Sequence, residues 1–71
     1  MKIFAIYYID EYNRDYFLRR EDAMECGIDY IRQVCREENW DPQETESLIA
    51  EFIREEWAYD ICALEEIEVK E

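Results

Sequence analysis

The chain contains no histidine, one glycine and one proline, and apart from its tyrosines it has only two side-chain hydroxyls, Thr45 and Ser47. Without an imidazole, neither hydroxyl nor thiol has the neighbouring base that nucleophilic catalysis requires. Three cysteines, at 26, 35 and 62, with no CxxC spacing and no histidine, fit no zinc pattern. The scarcity of glycine and proline leaves no flexible linker and no low-complexity stretch. Positive charge is also scarce, with eight Lys and Arg against twenty Asp and Glu for a net charge of -12. A direct nucleic-acid binder needs a basic stripe to neutralise phosphates, and this composition excludes one. The longest apolar run, Ile3 to Ile9, is far short of the ~20 residues of a membrane span. An odd number of cysteines and an opening that runs straight into a strand pattern point to free thiols in a reducing cytoplasm.

What is present argues for a folded domain. Eleven aromatics in 71 residues, with an apolar content of 49%, separate the chain from disordered acidic tails, which are poor in aromatic and β-branched residues. Residues 1–71 are expected to form a single compact acidic domain, burying only about 60% of the surface its unfolded form exposes.

Ile3–Ile9 reads as a strand, β-branched and aromatic with two apolar faces, as befits a central strand. Asp10 to Arg14 reads as a loop with Asn13 as its left-handed residue, and Tyr16-Phe17-Leu18 as a return strand. A helix over 21–38 places Met24, Ile28, Ile31 and Cys35 on one stripe, with Gly27 at its edge allowing close approach to the sheet. Asp41-Pro42-Gln43-Glu44 then carries a cap residue, a proline for the first helical position and an acid suited to a capping box. The second helix should bury Leu48, Ile49, Phe52 and Ile53 and fray between Glu55 and Ala58. From Tyr59 to Val69 the period shortens to two, giving a last strand with an irregularity at Glu65-Glu66. The expected architecture is α+β, in the order ββααβ: a three-stranded sheet, first strand central, with two helices packed on it. If both helices cover one face, the other needs a partner or a second copy.

The charge is lopsided. Residues 37–71 hold thirteen acids against Arg54 and Lys70, whereas residues 1–36 are nearly balanced. Such a field destabilises a compact state by self-repulsion. Glu44, Glu51 and Glu55 fall within about 40° on the second helix, separated by roughly 10 and 6 Å along its axis. Glu56, Asp60, Glu65, Glu66 and Glu68 extend the charge past the helix and along the last strand, and Trp57 sits among them as a binding anchor ringed by charge. Solvated helices interleave signs at i,i+4, but Glu51 and Glu55 are a like-charged pair. These nine residues are the expected partner-binding surface. A calcium loop over Asp10–Glu21 fails, since Tyr12, Arg14 and Asp15 stand where oxygen ligands and glycine belong. No catalytic residue, metal or cofactor is expected.

In size and charge the chain resembles small acidic proteins of phages and other mobile elements, some of which block host defence nucleases by taking the place of DNA or RNA. The expectation is a non-enzymatic inhibitor or regulator of the anti-CRISPR or anti-restriction kind. It would dock on the basic surface of a nucleic-acid-binding protein or nuclease, binding neither nucleic acid nor membrane itself. The alternative is a small structural or adaptor domain acting through an apolar sheet face, as a homodimer.

Overall fold

A computed structural model describes residues 1–70. In chain order, β1 (Lys2–Tyr8) turns into β2 (Asn13–Phe17), followed by α1 (Arg20–Glu37), α2 (Pro42–Glu55), the two-residue β3 (Trp57–Ala58) and β4 (Cys62–Glu68). All pairings are antiparallel, in the order β2-β1-β4-β3. The sheet therefore has four strands, and the expectation of three is wrong. Glu56 ends α2 in the left-handed region at φ 61°, which reverses the chain and lays Trp57 and Ala58 along Ala63 and Cys62. Two residues are too few to show a period of two, so this stretch reads as a fraying helix end. The last strand splits accordingly at the Tyr59–Ile61 turn, and Glu65 and Glu66 pair regularly with Ala5 and Phe4.

Residues paired across an antiparallel ladder share a face. One face carries Phe4, Ile6 and Tyr8 with Phe17, Leu64 and Cys62, and the helices cover it. Its centre is Ile6, Ile31, Cys35, Phe52 and Cys62, all fully buried. Burying a side chain such as Phe52 contributes roughly 1.5–3 kcal/mol relative to leaving it exposed. The buried stripe of α1 is Ala23, Gly27, Ile31 and Cys35, with Met24 and Ile28 only half-buried, so Gly27 lies at its centre. On α2, Ile49 and Phe52 are buried, Leu48 half-buried, and Ile53 exposed.

The two helix starts differ. Asp41 accepts a 2.8 Å hydrogen bond from the backbone N–H of Gln43, ahead of Pro42 at the first helical position. Arg19 gives α1 no side-chain cap. A hydrogen bond to its own backbone N–H and then the Arg19 guanidinium hold the Glu21 carboxyl below its usual range, so an acid inside the first turn substitutes for the cap.

The turns use side-chain-bearing residues where glycine is usual. Tyr12, Asn39, Glu56 and Asp60 have φ of 52°, 57°, 61° and 58°. The left-handed residue of the β1–β2 turn is thus Tyr12, while Asn13 already belongs to β2.

A candidate protein-docking surface

Most of the positive charge is already engaged. Lys2 lies 3.7 Å from Glu66, Arg14 2.6 Å from Glu65, Arg32 4.0 Å from Asp29 and Arg54 3.2 Å from Glu55. Arg19 pairs with Glu21, Arg20 with Glu56, and the N-terminal amine sits 3.7 Å from Glu68. Of the nineteen acids among residues 1–70, these seven have a cation within 4.0 Å, which leaves twelve without one among the described residues. Exposed pairs of this kind contribute about 0–1 kcal/mol each to stability. Their larger effect is on the surface field, where they cancel charge locally and leave the rest uncompensated.

Five of these twelve acids gather at one end. The Ile9 N–H donates to the Ile61 carbonyl at 3.1 Å, tying the β1–β2 turn to the β3–β4 turn. This brings Asp10 and Asp60 to a common cavity of about 530 Å³, which Glu38 also lines, with walls from Val34, Trp40, Tyr59 and Ile61. Glu11 and Glu37 join the same end. The Tyr30 hydroxyl is pushed above its ordinary pKa first by burial and then by Glu11, Asp10, Cys62 and Glu37. Asp10, Glu11, Glu37, Glu38 and Asp60 are all exposed and without a cation within 4.0 Å among the described residues. Gln33 donates to Glu37 at 3.0 Å and the Trp40 indole to Glu38 at 2.9 Å, both neutral donors that leave the charge in place. The C-terminus of α1 ends here and adds the negative pole of its dipole. Arg36, in the last turn of α1, lines a different depression with Arg32, Pro42 and Thr45, and Trp40 borders both.

Of the nine residues expected to bind a partner, only Asp60 belongs to this end. Glu44 and Glu51 lie on α2 without a cation within 4.0 Å among the described residues, and Glu55 is paired with Arg54. Glu56 is held by Arg20 across to the start of α1. Glu65 accepts from Arg14 Nε at 2.6 Å and Nη2 at 3.3 Å, on the face of the sheet away from the helices. Glu66 and Glu68 have the opposite parity and pair with Lys2 and the N-terminal amine. Trp57 shares the face of Glu65 and meets Tyr59 edge-on, with ring centroids 5.8 Å apart. Sequence reasoning did not select Asp10, Glu11, Glu37 or Glu38. The available signal was two acid doublets, Asp10-Glu11 after a strand and Glu37-Glu38 at a helix end, each beside a turn, the second directly preceded by Arg36.

A second polar cluster is part-buried, on the helix side of the sheet edge. The Tyr8 hydroxyl donates to the Asp15 carboxylate at 2.6 Å, and its oxygen lies 3.1 Å from Cys26 Sγ. With its one proton committed to Asp15, the tyrosine accepts from the thiol. Burial first, then these two hydrogen bonds, raise the Tyr8 pKa, so the hydroxyl stays neutral. The three cysteines are free thiols, and burial pushes Cys62 up to about 12. Such a thiol is not a nucleophile near neutral pH. Among the described residues, no group of three Asp, Glu or Cys side chains converges to hold a metal ion, and no helix is long and apolar enough to cross a membrane. No protein-family model matches this chain, and neither a curated protein nor a solved structure is significantly similar to it.

Proposed function

We propose that this is a non-enzymatic acidic binding protein that docks its acidic end on the basic surface of another protein, a nucleic-acid-binding protein or nuclease, and inhibits or regulates it in the cytoplasm. One observation carries the reading. Among the described residues, ion pairs engage six of the eight bases, while Asp10, Glu38 and Asp60, from the β1–β2 turn, the end of α1 and the β3–β4 turn, line one cavity that no Lys or Arg lines, with Glu11 and Glu37 beside it. A net charge of -12 on 71 residues repels itself, and a cationic counterpart relieves that repulsion on binding. A basic surface that ordinarily accepts phosphates is the kind of counterpart that such a field fits.

The test is affinity capture on the immobilised chain at low salt, release at high salt and identification of what elutes. A basic, nucleic-acid-binding protein is expected, lost when Asp10, Glu11 and Asp60 are changed together to Lys. Retention of no protein at low salt, or of the same protein by that variant, overturns the proposal.

A further inference from the structure

We infer that the sheet face opposite the helices is the apolar centre of the same interface, and that its occupant is a protein surface with an apolar middle and a lysine- or arginine-rich flank; this rests on the reading of the acidic end above. The register places Ile3, Tyr7, Tyr16, Trp57 and Ile67 on that face, and neither helix covers it. Tyr16 and Trp57 are 61% and 43% exposed. They stand on the two edge strands, on either side of the Tyr7 and Ala5 positions of β1, and large exposed aromatics on a rigid scaffold are the side chains that dominate binding energies at interfaces.

The face is also neutral, on a molecule that is strongly charged elsewhere. Its only ionisable groups besides the tyrosines are Arg14 and Glu65, which neutralise each other. Arg14 reaches from β2 to β4 with its guanidinium 4.4 Å over the Tyr7 ring. Ala5, the β1 residue opposite Glu65, has no exposed surface. The one charged pair on this face is already satisfied, so docking on it strands no charge.

Two considerations select the occupant. A second copy would bring another -12 against the same field. The strand spacings give this face an area of about 350 Å², against the roughly 800 Å² per partner of a stable interface. Self-association through it therefore falls short in area and is opposed by charge. The face runs directly into the acidic end, however, since Asp10 and Glu11 follow β1 and Asp60 sits in the turn between β3 and β4. One partner covering both approaches the usual area, and complementarity requires it to be apolar in the middle and basic at the flank.

The experiment uses the full chain and the protein recovered in the capture above, purified. The double variant Tyr16→Thr and Trp57→Thr keeps strand-forming residues at exposed positions, and circular dichroism checks that it folds. Its affinity should fall ten-fold or more through faster dissociation, with the association rate nearly unchanged. The triple Lys variant at the acidic end should lose association rate instead. If the acidic-end variant loses binding and the Thr variant does not, the inference about the face is overturned and the proposed function stands. If neither loses binding, both are overturned. Sedimentation in 1 M salt is expected to show a monomer, and a dimer abolished by the Thr changes would assign the face to a second copy and overturn the inference.

Discussion

Gly27 of α1 lies directly against the Phe52 ring of α2: a Cβ built on it would stand 2.4 Å from Cζ and 3.1 Å from Ile6 Cδ1. The only glycine in the chain is therefore where the two helices and the sheet come closest. Phe52 has no exposed surface.

The expected consequence is that Gly27→Ala destabilises the fold even though alanine is the better helix former. Overpacking a filled core costs about 1–3 kcal/mol, and the gain in helix propensity returns about 1 kcal/mol. A net loss near 1 kcal/mol should lower the melting temperature by about 4–8 °C in a domain of this size. Thermal unfolding followed by circular dichroism measures it, and an unchanged or higher midpoint would show that Phe52 moves aside freely.

Tyr12 should respond in the opposite direction. It is 84% exposed and holds φ at 52°, a conformation that is unfavourable by about 1–2 kcal/mol for a residue with a side chain. Tyr12→Gly removes that strain and loses almost no packing, but the unfolded chain gains entropy. A net stabilisation of about 0.5–1 kcal/mol is expected in urea unfolding. Destabilisation would mean that the Tyr12 ring packs on the turn in solution.

These two residues also show how far the fold was legible. A lone glycine in a helix announced a close approach, but periodicity could not say that the other helix, more than the sheet, supplies the contact. It also placed the buried stripe one position away from its true centre. The β1–β2 turn is evident in the sequence, and propensity favours Asn13 as its left-handed residue; Tyr12 takes that role because β2 already begins at Asn13, three residues before the expected Tyr16. The fourth strand was invisible because β3 has two residues and abuts a helix end. Charge summed along the chain pointed to its second half, but pairing is decided in three dimensions. Arg14, Arg20 and Lys2, all from the first half, reach Glu65, Glu56 and Glu66, and five of the twelve uncompensated acids collect where turns from both halves meet.

Stability should fall on the alkaline side. Burial raises Cys62 from 9.0 to about 12, and burial with two hydrogen bonds raises Tyr8 above its ordinary 10.0. Between the unfolded and folded values the native state keeps protons that the unfolded chain has released, so stability decreases as pH rises. The full contribution is present below pH 9 and is lost from there upward, with a slope of up to about 1.4 kcal/mol per pH unit for each group. Urea midpoints from pH 8 to 10.5 should decline, and Cys62→Ala should flatten the first part of that decline. A midpoint constant to pH 10.5 would show that neither group is shielded from solvent.

The most direct test of the central claim is the association rate with the captured basic protein, measured against ionic strength for three forms of the chain. These are the natural sequence, Asp10→Lys with Glu11→Lys and Asp60→Lys at the acidic end, and Glu44→Lys with Glu51→Lys on α2. Electrostatic steering changes association rates by 10- to 1,000-fold. The acidic-end form should lose at least about ten-fold in rate together with most of the salt dependence, while the α2 form stays within about three-fold of the natural sequence. Equal losses in the two variants would mean that total charge acts without regard to position, and would contradict the account.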